Sequence, residues 1–138
     1  DAWRPEVAAQ EGAQEEANSI LPKIIDRLNL LSELRNKLQQ QEKKLTKAED
    51  ISLVEYAREK RKMNKLLSDV YALIEEIEEF GCIIKDVDTN LIDFPAKRFD
   101  AEVWLCWRLG EPKVMFWHPR GEGFASRRPL TDDISSMA

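Results

Sequence analysis

The side chains able to do chemistry gather in the second half of the chain: Lys85, Asp93, Cys106, Arg108, Glu111 and His118, with Trp104, Met115 and Trp117 among them. One chemistry they offer is anion binding, with Lys85 and Arg108 as the charge-assisted donors and Trp104 and Trp117 as an apolar rim. The competing reading is a solvated sheet face on which Lys85 pairs with Asp93 and Arg108 with Glu111, contacts that are weak when exposed. Cys106 with His118 suggests a nucleophile and its base, or metal ligands. One histidine and two cysteines do not close a tetrahedral site without carboxylates, and no CxxC or HxxxH spacing occurs, so no metal is expected. A catalytic Cys–His pair needs the two within hydrogen-bond reach, and the strand registers below put them on opposite faces. The residues assign no catalytic group and no cofactor.

These side chains need a sheet to position them. After Gly81 the apolar period is two, which predicts strands at about 82–87, 91–96, 102–108 and 113–118 joined by short polar turns, a meander. A two-residue loop at Phe99-Asp100 pairs Phe94 with Leu105, Ile92 with Trp107 and Asp93 with Cys106. Ile92, Phe94, Ala96, Val103, Leu105 and Trp107 then share one face, joined by Val114 and Phe116. Lys85, Asp93, Cys106, Arg108, Glu111, Trp104 and Trp117 share the other. The first hairpin turns through Asp88-Thr89-Asn90, with Asn90 left-handed, and sets Lys85 opposite Asp93. Two indoles on this face belong under the C-terminal tail or at an interface rather than in water.

The sheet in turn needs a partner layer. Ala17, Ile20, Ile24, Leu31, Leu34, Leu38 and Leu45 recur at helical spacing, with Leu21, Ile25, Leu28 and Leu30 widening the first half of the stripe. Pro22 kinks this helix if it starts near Gln14 and sits in its tolerant first turn if it starts at Ser19. Ser52 with Glu55 forms a capping box for a second helix, whose seam of Met63, Leu66, Val70, Leu73, Ile77 and Phe80 ends at Gly81. Each helix is about 45 to 50 Å long, so matched lengths and a short connection predict an antiparallel hairpin. The class is α+β: a helical hairpin (14–80), then a four-stranded antiparallel meander (81–118) packed at its base. A wrapping loop (119–130) completes a single domain at 14–130, between flexible tails at 1–13 and 131–138.

Net charge is −5, which argues against a general nucleic-acid binder. Its distribution is uneven: residues 35–65 hold ten basic against five acidic residues, so that stretch is +5 and the remainder −10. Glu75, Glu76, Glu78 and Glu79 end the second helix, where its dipole disfavours anions. Two hairpins associating antiparallel would set the basic tip, with Lys60, Arg61 and Lys62, beside this acidic base, which predicts a homodimer. Two unspaced cysteines, Cys82 and Cys106, read as reduced thiols of a cytoplasmic protein, and no apolar run is long enough to span a membrane. The chain begins at Asp1, which leaves room for a removed targeting peptide.

Several short blocks now form a recognisable order: Glu15 to Pro22, Lys85-Asp86, Asp93-Phe94-Pro95, Leu105-Cys106-Trp107-Arg108 with Gly110-Glu111, Trp117-His118, Arg127 and Pro129. In these blocks the chain resembles the uncharacterised bacterial domain-of-unknown-function family twenty-two-zero-three over roughly residues 14–130. The resemblance implies a fold and no mechanism. That family usually carries Gly at the position of Asn90, Asp-Gly at Phe99-Asp100 and a capping Thr at Ala13. Two functions follow from the residues: a non-enzymatic scaffold that self-associates through its hairpin and recognises partners on the outer sheet face, or an enzyme or anion-binding protein built on Lys85, Asp93, Cys106 and Arg108.

Overall fold

The computed structural model describes residues 12–130. The amphipathic stripe of the first half forms one helix, α1 (Ala13–Lys47), and the second forms α2 (Leu53–Glu78). The helix begins at Ala13, itself buried, so that residue belongs to α1 and not to a tail. Of the tails expected at 1–13 and 131–138, residues 1–11 and 131–138 lie outside the described residues. Pro22 lies inside α1, where it leaves the Asn18 carbonyl without its usual donor. Among the described residues no helix is long and apolar enough to cross a membrane. The chain separates into two compact units, residues 26–76 and the remainder.

The 26–76 unit is an antiparallel helical hairpin. Its turn is set by Asp50, left-handed at φ 56°, and by Ser52, whose Oγ accepts the Glu55 N–H at 3.1 Å as the capping signature requires. Arg27 Nε meets Glu76 Oε1 at 3.1 Å near one end, and Gln41 Nε2 donates to the Glu59 carbonyl at 3.1 Å further along. Leu28, Leu31, Val70 and Leu73 are buried, while Leu34, Leu38, Leu45, Met63 and Leu66 are only half-covered, the narrow seam their spacing implies. A polar knot interrupts that seam. Glu59 accepts from Gln41 and is flanked by Lys44 at 3.3 Å and Lys62 at 3.4 Å. The Gln41 hydrogen bond, then the two lysines, hold its carboxyl down at about 2 against the cost of desolvation.

The other unit holds the first turns of α1, the end of α2 and a sheet of five strands, each antiparallel to the next: β1 (Ile83–Asp86), β2 (Leu91–Arg98), β3 (Ala101–Arg108), β4 (Phe116–Pro119) and β5 (Arg128–Pro129). Gly81, at φ 97°, ends the second helix and donates to the Glu78 carbonyl. Asn90 is left-handed at φ 53°, and Phe99 and Asp100 are both left-handed, as a two-residue hairpin loop demands. That tight loop gives the predicted pairs Phe94 with Leu105 and Ile92 with Trp107. The inner face of Ile92, Phe94, Ala96, Val103, Leu105 and Trp107 is buried with Ala17, Ile20, Leu21 and Ile24 of α1. Each such large side chain contributes about 1.5–3 kcal/mol.

The sheet has five strands, not the four expected. β5 is two residues long, too short for any period to reveal, and contains Pro129, which is tolerated only at an edge. β4 is also shorter than expected. Val114 lies in the loop before it, pinned to α1: its N–H donates to Asn18 Oδ1 at 2.6 Å and its carbonyl accepts from Gln14 Nε2 at 2.7 Å.

Candidate functional site

Three neighbouring strands bring Asp93, Cys106 and His118 to one face. Asp93 on β2 stands directly opposite Cys106 on β3, as predicted. Across the other edge of β3, Cys106 pairs with Phe116 and Trp104 with His118, so His118 shares the face of Cys106, and Trp117, paired with Leu105, joins the opposite face. This reverses the expected sides of Phe116, Trp117 and His118. Alternation cannot be carried through the loop ahead of β4, where Val114 is held by α1 and the parity shifts by one residue.

The face is not solvated. Arg127 lies over Phe116 with its guanidinium 4.0 Å from the ring centre, and Arg120 covers Trp104 at 4.0 Å. Beneath this cover Asp93, Cys106 and His118 are at most 2% exposed. His118 Nε2 is 3.2 Å from Asp93 Oδ2, and its Nδ1 is 3.0 Å from the Pro119 carbonyl oxygen. A carbonyl only accepts, so Nδ1 carries a proton, and Nε2 is the nitrogen turned toward the Asp93 carboxyl. Asp93 Oδ1 is buried with no hydrogen-bond partner.

The electrostatics follow from burial. Desolvation raises the Asp93 carboxyl above its usual range, opposed first by His118. Desolvation, then the neighbouring Asp93 carboxylate, pushes the Cys106 thiol up to about 12. A thiol so placed stays protonated near neutrality and is a poor nucleophile. His118 moreover engages Asp93, so the order is cysteine, aspartate, histidine, and not the nucleophile–base–orienter order of a catalytic triad. What the arrangement does offer is convergence: Asp93, Cys106 and His118 each present a ligand atom, all within 4.8 Å of one another. The expectation that Cys106 and His118 lie on opposite faces rested on the reversed parity of β4.

The remaining candidates are dispersed. Ile83, not Lys85, stands opposite Asp93, because the turn pairs Asp86 with Leu91, one residue short of the expected register, and β1 then bulges between Ile84 and Asp86; Lys85 Nζ rests 4.9 Å from the Trp104 ring centre. Glu111 does not pair with the Arg108 guanidinium: its carboxylate takes Arg127 Nη2 at 2.7 Å to each oxygen and accepts the Arg108 backbone N–H at 2.7 Å. Arg108 lies over Phe124 at 4.8 Å, and Trp117 lies near Arg98 and Arg128 on the inner side. Arg127 is the residue that sequence reasoning left without a role. It stands in the Arg127-Arg128-Pro129 run, and only the return of the tail over the sheet reveals which arginine is enclosed.

On the hairpin unit, Glu76 has Arg27 as a partner, and in the sheet unit Glu78 accepts the Ile84 N–H at 3.0 Å, so both acidic residues have local compensation. Glu75 and Glu79 are exposed, as are Lys60, Arg61 and Lys62 at the far end of α2's basic stretch.

Compared with protein families, residues 13–130 match a family described as an uncharacterized conserved protein, DUF2203. No curated protein and no solved structure matches the chain.

Proposed function

The chain belongs to the DUF2203 family of uncharacterized conserved proteins, and from that premise we propose that it is a non-enzymatic binding or scaffold protein that self-associates through its helical hairpin. One observation carries this reading: the hairpin leaves apolar side chains in water. Leu67 and Tyr71, one turn apart on α2, are 38% and 59% exposed, and Leu30 of α1 is 48% exposed. The antiparallel register set by Arg27 and Glu76 brings Leu30 to the level of Leu73, about half a turn from Tyr71. Clustered apolar exposure favours a protein partner. Charge selects a second copy, because antiparallel apposition sets the +5 segment at 35–65 against Glu75 and Glu76 of the other chain.

The competing reading, an enzyme or a small anionic-ligand protein, has less support. Its two cations, Lys85 and Arg108, rest on different rings, Trp104 and Phe124, and Glu111 is engaged by Arg127. A cytoplasmic setting suits the scaffold, since Cys82 and Cys106 are buried free thiols of the kind a reducing compartment maintains.

Light scattering at low and high salt tests the proposal. A dimer mass at low salt that falls as salt rises is the expected result. A monomer at both salts would overturn self-association.

A further inference from the structure

We propose that Asp93, Cys106 and His118 form a binding site for a thiophilic divalent cation, with Zn²⁺ the best match. The three residues come from three adjacent strands, and their ligand atoms all lie within 4.8 Å of one another. A tetrahedral zinc ion with bonds of roughly 2.0–2.3 Å to nitrogen, oxygen and sulfur sets its donors about 3.3–3.8 Å apart. The His118 Nε2 to Asp93 Oδ2 separation of 3.2 Å is close to that edge.

The hydrogen bonds point the same way. With Nδ1 donating to the Pro119 carbonyl, Nε2 is the ring nitrogen aimed at Asp93 Oδ2, and a cation held by both would take the place of the proton between them. A histidine fixed through Nδ1–H to a carbonyl is also how imidazole ligands are oriented for metal binding through Nε2. Asp93 Oδ1, buried and without a partner, supplies a further donor from the same carboxylate. When sulfur binds the ion, the Cys106 S–H bond breaks and its proton leaves to solvent. The product has no net charge: two positive charges meet one carboxylate, one thiolate and a neutral imidazole, which suits a site closed to water. The nearby Arg127 is balanced by Glu111, whose two oxygens it meets at 2.7 Å. The mixed sulfur, nitrogen and oxygen set favours Zn²⁺ over magnesium or calcium, which take oxygen donors.

The test uses the full chain, stripped with a chelator, shown to be folded by circular dichroism, and titrated with Co²⁺ and Zn²⁺ both directly and during refolding. The expected result is one ion per chain, a thiolate-to-cobalt charge-transfer band that Zn²⁺ displaces, and a Tm raised by several degrees. Cys106→Ser loses the band and binds at least about tenfold more weakly, whereas Cys82→Ser keeps both. His118→Gln provides the same reading, through weakened binding, if Cys106→Ser is poorly folded. A folded wild-type chain that takes up neither ion overturns the proposal, leaving a shared proton between Asp93 and His118. So does a charge-transfer band that survives Cys106→Ser and disappears in Cys82→Ser.

Discussion

At the scale of single residues, Arg127 shows how an enclosed charge differs from a surface one. Its side chain is 11% exposed and that of its partner Glu111 is 17% exposed, with both carboxylate oxygens reached by one nitrogen. Arg127 also packs on Phe116 and Phe124, at 4.0 and 4.4 Å. Removing it leaves Glu111 without its counter-charge, so Arg127→Ala should destabilise the protein by about 2 kcal/mol. A double-mutant cycle with Glu111→Ala, followed by urea unfolding, should return a coupling of about 1 kcal/mol or more; a coupling near zero would reduce the pair to a surface contact. Cys82 makes a separate prediction about pH. Burial holds its thiol up at about 12, from an ordinary 9.0. Above pH 9 the unfolded chain gives up this proton while the native state keeps it. The contribution of Cys82 is therefore complete below 9 and is lost as pH rises toward 12, at up to about 1.4 kcal/mol per pH unit. Cys82→Ala should flatten the dependence of unfolding free energy on pH in that interval. An unchanged slope would mean that the thiol is solvated.

At the scale of elements, turns decide how far sequence reasoning reaches. Phe99 and Asp100 both adopt positive φ, 53° and 61°, a conformation that costs ordinary residues about 1–2 kcal/mol each and Asn or Gly less. Replacing the pair with Asn-Gly should therefore stabilise the β2–β3 hairpin by about 1 kcal/mol, read as a rise in the urea midpoint. A fall would show that the Arg98 guanidinium, 5.5 Å from the Phe99 ring, holds the turn in place. The same two-residue loop is why the β2–β3 register was legible from the residues alone. In the hairpin unit, the helical period located α1 and α2 and the capping residue Ser52 located the start of the second helix. It did not reveal that Gln41 and Glu59 occupy the seam, because a polar pair leaves no mark in an apolar pattern.

At the scale of the whole molecule, charge is the organising quantity. A net −5 conceals a basic stretch at 35–65 and an acidic remainder. Some of that charge is matched within the chain, by Glu59 with Lys44 and Lys62 and by Lys65 with Asp69 at 2.7 Å. If hairpins associate as proposed, reversing Lys60, Arg61 and Lys62 to Glu should shift the low-salt mass to that of a monomer while helicity is retained. Because the Debye length shrinks to about 3 Å at 1 M salt, the wild type should approach the same mass there. A variant that stays dimeric would move the contact to the apolar Leu67–Tyr71 patch and remove the basic tip from it.

The amino-acid sequence by itself determined the helices, the long strands and the register across the two-residue β2–β3 turn: two amphipathic helices, the capping at Ser52 and Gly81, the left-handed Asn90, and the pairing of Asp93 with Cys106. Those features depend on periods and dihedral preferences that a few neighbouring residues set. The parity of β4 and the enclosure of Arg127 were decided by the tertiary structure. Both follow a connection in which long-range contacts, above all Gln14 and Asn18 with the Val114 backbone, override local alternation. That override sets His118 beside Asp93 and Cys106, so the one cluster with convergent donors exists only once the α1 helix has fixed where the last long strand begins.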